Sequence, residues 1–180
     1  MHGSSDEVGE TDDVVVRACS HQDLHVLRRD LPTGLADVHG QHLERQDAGL
    51  RTYLGAFTDE EVRGTCVVSW DGCREPEVRQ AFPTAVEIAG LQVGDEWRGS
   101  GIGTALIRGA EQLAVKAGRD LMVIGVAADN PRAAALYARL GYAESGVTAT
   151  VRYDLPGPDG DPTEVIEHTR VLVKRHQPSR

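Results

Sequence analysis

Residues 84–103, TAVEIAGLQVGDEWRGSGIG, decide how this chain folds. The first ten are β-rich and read as a strand, which passes through Gly94 to Trp97 into the glycine-rich turn RGSGIG. That turn opens a helix predicted to run to about Ala117, with Ile102, Leu106, Leu113 and Ala117 on one face and Gly118 as its stop. Beyond the helix, LMVIGVA (121–127) is fully apolar, as expected of a strand covered on both faces. Strand, turn, helix and strand make a right-handed βαβ crossover, so this part of the sheet is predicted to be parallel.

The turn itself carries chemistry. Glycines at 99, 101 and 103 remove Cβ atoms where backbone must approach a ligand, and the helix start supplies unsatisfied N–H groups and a positive dipole end. Each charge-assisted hydrogen bond is worth roughly 1.5–3 kcal/mol, against about 0.3–1 kcal/mol for the dipole. Directed amides therefore dominate an anion site here, with Arg98 adding charge. A plain tight turn with a helix cap is the alternative. Two other phosphate motifs fail on residues. A dinucleotide fingerprint beginning at Gly99 needs Gly or Ala where Thr104 stands, and one beginning at Gly101 meets Leu106. A P-loop needs Gly-Lys before Ser or Thr, a pair this sequence lacks.

Outward from this unit the chain reads as one α/β (α+β) domain. VVVRA (14–18) is a first strand, and Ser20 caps a helix that Pro32 ends. A second helical segment places Leu35, Val38, His42 and Leu43 near helical spacing. LRTYLGAF and VRGTCVVSW form an antiparallel hairpin across Thr58 to Glu61, and a loop with Pro76 and Pro83 leads back to residue 84. Asn130 followed by Pro131 starts a short helix, RAAALYARL, that ends at Gly141. Two β-like runs, YAESGVTATVRYD and VIEHTRVLVKR, flank a Pro/Gly/Asp loop from Pro156 to Pro162. No internal repeat appears.

At 180 residues one core suffices, predicted over 14–176 after a disordered acidic tail at 1–13, where five carboxylates stand among Gly and Ser. Apolar and charged fractions of 40% and 26% fit a soluble domain, and the apolar runs are too short to cross a bilayer. MHGSSDEVGETDD has neither a basic nor an apolar signal region, which predicts a cytoplasmic protein. A net charge of −9 disfavours nucleic acid and leans toward cationic partners. Cys19, Cys66 and Cys73 form no metal or disulfide pattern, so they read as buried small hydrophobes or incidental thiols.

With the strand LQV, then Arg98-x-x-Gly101-x-Gly103 opening a helix, then an apolar strand, then Asn130-Pro131 and LY-x-RLGY to Tyr142, the sequence resembles the GNAT superfamily of N-acetyltransferases. Its two motifs span roughly residues 84–142. The resemblance implies a mixed central sheet of about seven strands with about four helices, and two parallel strands splayed around acetyl-CoA. It also implies that backbone amides over Arg98, Gly99, Ser100, Gly101, Ile102, Gly103 and Thr104 hold the cofactor's diphosphate. Leu91, Gln92 and Val93 would follow the pantetheine arm, the Val93 N–H polarising the thioester carbonyl.

Asn130 matches the family residue that contacts pantetheine, and equally a helix cap. Tyr137, seven residues on, matches the family's general acid, and a core aromatic is its alternative. Glu87, four residues before Leu91, stands where the histone-modifying branch carries its general base, and a solvent-facing strand residue is its alternative. His168 and Glu167 are weaker alternatives for that role, and His21, His25, His39 and His42 read as surface or core residues. The implied reaction is direct attack by a primary amine on acetyl-CoA, without metal, the acceptor being a small molecule or peptide. A homodimer is compatible with this reading, as are a longer acyl-CoA and a non-catalytic acyl-CoA-binding module. Acceptor choice should rest on residues 27–43, 71–83 and 155–164.

Overall fold

In a computed structural model the described residues are 14–34, 36–58, 60–156 and 162–176, with the backbone alone described at 153–156 and 162. The expected tail at 1–13 and most of the 156–162 loop lie outside them.

The chain builds a seven-stranded mixed sheet in the order β1-β2-β3-β4-β5-β7-β6. Its strands are β1 Val15–Ala18, β2 Arg51–Phe57, β3 Val62–Ser69, β4 Val86–Val93, β5 Leu121–Ala127, β6 Ala143–Pro156 and β7 Pro162–Arg175. Among the described residues five α-helices accompany it: α1 Leu24–Asp30, α2 Val38–Asp47, α3 Pro76–Ala81, α4 Ile102–Lys116 and α5 Pro131–Arg139. The segment read as a loop around Pro76 therefore contains a helix. Pro76 occupies its first turn, where a missing N–H costs nothing, and Val78 buries against the sheet. No helix among the described residues is long and apolar enough to cross a membrane.

Alternation along the strands separates two faces. Leu54, Cys66, Val68, Val86, Ile88, Met122 and Ile124 point to the face covered by α4 and α5. Ile102, Leu106, Ile107, Ala110 and Ala114 form the buried stripe of α4, while Ala117, expected on that stripe, is exposed. Each large aliphatic side chain buried there contributes about 1.5–3 kcal/mol. Glu111 shares the stripe and is held by Lys174 Nζ of β7 at 2.8 Å, which ties α4 to the far strand. The opposite face carries two smaller clusters, one beneath α1 and α2 and one beneath α3.

Strand β4 is the hinge of the architecture. It pairs with β5 in parallel only over Val86–Met122, Glu87–Val123 and Ile88–Ile124, although both strands continue. On its other side Ala89 pairs with Val67 and Gln92 with Thr65, which leaves two residues, Gly90 and Leu91, against Cys66 alone, a bulge. Gly90 adopts φ +59°, a region that favours glycine. The bulge reverses the strand's phase: Val86 and Ile88 face α4 before it, and Leu91 and Val93 pack there after it. Beyond Ile88 the two central strands part.

Candidate active site

A groove of about 740 Å³ follows the parted strand and the start of α4. Leu91, Gln92, Val93, Arg98, Gly99, Gly101, Gly103, Thr104 and Asn130 line it, nine residues the sequence had nominated together. At its centre is the glycine turn. Gly99 and Gly101 have φ of +87° and +92°, and Gly103 lets α4 approach α5, since a Cβ there would meet Leu136 Cδ2 at 3.2 Å. The first α4 bond, from Ala105 N–H to the Gly101 carbonyl, is 2.9 Å. Among the described residues the N–H groups of Gly99, Gly101, Ile102, Gly103 and Thr104 have no intramolecular partner.

Two members of the expected amide set are engaged elsewhere. Ser100 N–H donates to the Trp97 carbonyl at 3.3 Å, and Arg98 N–H makes a long 3.4 Å contact with the Asp95 carbonyl. Ser100 Oγ also donates to the Trp97 carbonyl, and the Arg98 guanidinium pairs with Asp95 at 2.6 Å. Neither Ser100 nor Ile102 lines the groove; Ile102 is core. The free amides thus begin at Gly99 and run on from Gly101.

Charge in the groove opposes that of the chain. Among the described residues its lining holds Arg98, Arg132 and Arg139 and no acidic residue, in a protein of net charge −9. Arg132 brings a guanidinium nitrogen within 3.7 Å of where a Cβ on Gly99 would sit. Arg132, Arg139 and Trp97 escaped the sequence reading. The signal for the arginines was present, because residues 132, 136 and 139 share a face of α5 at helical spacing.

Asn130 serves the helix and the groove together. Its side-chain oxygen accepts the Ala133 N–H at 3.0 Å as the α5 cap, leaving the amide hydrogens for a ligand. Val93 faces the gap with its N–H: Gly94 N–H turns to β3, donating to the Arg63 carbonyl at 2.9 Å, and neighbouring amides alternate in direction.

Tyr137 is buried on the α4 face, its ring 6.2 Å from that of Tyr142 and outside the groove lining. Burial pushes its hydroxyl up to about 12, with a smaller effect of Cys66, which lies opposite the bulge. The phenol therefore keeps its proton at neutral pH. Glu87 stands on the other face, with Ser69 and Val123 as its strand partners. Its carboxylate accepts Arg74 N–H at 2.9 Å, so part of its role is to hold the loop before α3. Burial raises its proton affinity above that of an ordinary glutamate, the Arg74 bond opposing and nearby Glu75 adding to the shift. Glu167 shares this face, while His168, one residue on, points to the α4 side.

An acetyltransferase (GNAT) family model matches residues 21–142, more than half the chain. The chain belongs to the GNAT acetyltransferase family. No curated protein matches it. Among solved structures, this GNAT domain is similar to a ribosomal-protein-alanine N-acetyltransferase from Brucella melitensis, at 19% identity and TM-score 0.64 over 90% of this chain and 99% of that one. An N-acetyltransferase from Staphylococcus aureus Mu50 gives 15% identity and TM-score 0.66 over 91% and 98%. A GNAT family acetyltransferase from Elizabethkingia anophelis with acetyl-CoA bound gives 15% and 0.60 over 92% and 99%. At these identities the likeness shows the fold. Membership of the GNAT family supports acetyl transfer from acetyl-CoA.

Proposed function

We propose that this GNAT protein is an N-acetyltransferase that moves an acetyl group from acetyl-CoA to a primary amine by direct attack. The observation that carries the reading is the row of unpartnered amides at Gly99 and Gly101–Thr104, opening onto a groove lined by arginines and no acid. A diphosphate fits that donor set, because directed N–H groups at a helix start bind anions. Arg132 and Arg139 add charge from α5 and fit the remaining phosphate of the cofactor.

Acetyl-CoA supplies the activated thioester; the chain supplies position and protons. Leu91 to Val93 have lost their β5 partners and offer strand-like bonds to the pantetheine arm. The Val93 N–H is directed at the developing oxyanion. The acceptor nitrogen forms the new N–C bond as the C–S bond breaks. One ammonium proton goes to Glu87, directly or through water, freeing the lone pair for attack; the Tyr137 hydroxyl protonates the departing sulfur, and the second nitrogen proton, released as the amide forms, restores the phenol. Acid and base stand on opposite faces of the sheet, Glu87 in the stretch over which β4 and β5 still pair.

Free-thiol release from acetyl-CoA across a panel of primary amines tests this. Amine-dependent release supports a transferase. Tight CoA binding with no release from any amine would favour a non-catalytic acyl-CoA-binding module.

A further inference from the structure

The sheet face opposite α4 bears on the acceptor, provided the chain is the transferase proposed above. Its two apolar clusters lie apart, under α1 and α2 on one side and under α3 on the other. Between them the sheet is open: Gly90 of β4 and Gly125 of β5 are exposed although both belong to central strands. One end of that opening is a polar row. Arg51 pairs with Ser69, and Ser69 with Glu87, so three side chains stand on one face across three neighbouring strands. With strands about 4.7–4.9 Å apart, the Arg51 and Glu87 backbones are about 10 Å from each other.

Arg51 is the anomaly in the row. Its Nε is shielded from solvent without a hydrogen-bond partner, and among the described residues no carboxylate forms an ion pair with it. Burial and the nearby Arg45 disfavour its charge, and Asp71 and Glu87 offset this only from a distance. His42 on α2 adds a second shielded, unpartnered atom, Nδ1. Burial, with Arg51 and Arg45 nearby, holds that ring neutral, its pKa pushed down to about 4. A partly desolvated guanidinium among like charges is unfavourable unless an anion completes it.

We propose that Arg51 receives an anionic group of the acceptor, a carboxylate or a phosphate, so that the enzyme acetylates small zwitterionic amines in preference to purely cationic ones. The row orders the two ends of such a molecule. Its ammonium lies toward Glu87, where the proton leaves, and its anion toward Arg51, beside His42. The acidic charge of the whole chain points toward cationic partners, but the local arrangement at the opening governs the acceptor.

Thiol release by the full chain, with acceptors in matched sets, tests the assignment. Free amino acids are compared with their primary amides and decarboxylated amines, and O-phosphoethanolamine with ethanolamine; the two arms tell carboxylate from phosphate. The best anion-bearing acceptor should exceed its partner that lacks the anion by about tenfold or more in kcat/KM, the effect of one charge-assisted bond. Arg51→Gln should erase this preference through KM, and Arg51→Lys should restore part of it, with CoA affinity and thermal midpoint as folding controls. Equal or better turnover of amides and diamines, or a preference that survives Arg51→Gln, overturns the inference and leaves the transferase reading standing. Release with no amine at all removes both.

Discussion

Replacing Gly101 with alanine separates the geometry of the turn from its sterics. A Cβ at Gly101 would meet nothing within 4 Å, so the penalty is conformational and comes from φ of +92°. Holding an L-residue there costs about 1–2 kcal/mol. At roughly 2–4 °C per kcal/mol for a domain of this size, the thermal midpoint should fall by about 2–8 °C. Gly118, at the other end of α4, has φ of +73° and equally open surroundings, so Gly118→Ala should cost about the same stability. Only Gly101→Ala re-aims the amides of Gly101, Ile102 and Gly103. Loss of a single charge-assisted bond, roughly 1.5–3 kcal/mol, weakens CoA binding by about tenfold to over a hundredfold. Calorimetric titration of CoA into both variants reads this directly. If Gly101→Ala binds CoA as tightly as Gly118→Ala does, the diphosphate does not sit on this turn.

Tyr137→Phe should lower kcat by about a hundredfold or more while CoA affinity holds, since only the sulfur's proton donor is lost; unchanged turnover removes Tyr137 from the chemistry. Because burial raises Glu87, the acid limb of kcat/KM should lie above the 4.5 of an ordinary glutamate and disappear in Glu87→Gln. A carboxyl whose folded pKa is raised stabilises most when protonated, so wild type should lose stability relative to Glu87→Gln as pH rises through that value; a pH series of urea midpoints without that trend contradicts the assignment. Arg132→Gln and Arg139→Gln should each raise KM for acetyl-CoA several-fold to about tenfold, and an unchanged KM excludes the residue concerned from phosphate binding. Glu111→Ala leaves Lys174 unpaired beside the core, for about 3 kcal/mol. Its thermal midpoint should fall by roughly 6–12 °C, and Glu111→Leu with Lys174→Met should recover most of that; a shift under about one degree refutes the tie between α4 and β7.

The strand-turn-helix-strand unit was legible because its signals are local: apolar periodicity, paired glycines and the Asn130-Pro131 start each act within a few residues. Most of the residues that line the groove were legible for the same reason. The bulge at Gly90 was not, although a glycine inside a strand pattern is its usual mark, because the extra residue shows only against Val67 and Thr65 of β3. That one-residue slip places Glu87 and Leu91 on opposite faces despite their even spacing. Helix α3 was hidden by brevity, six residues whose stability comes from Val78 against the sheet and the Glu77 bond to Thr150 N–H. Arg51 was invisible as a site residue because its meaning depends on a register across three strands.

A crystal structure with acetyl-CoA tests the central claim most directly. The diphosphate should lie on the amides of Gly101 to Thr104, the pantetheine between β4 and β5 beyond Ile88, and the sulfur within hydrogen-bond reach of the Tyr137 hydroxyl. Acetyl-CoA bound elsewhere, or a sulfur remote from Tyr137, would contradict it.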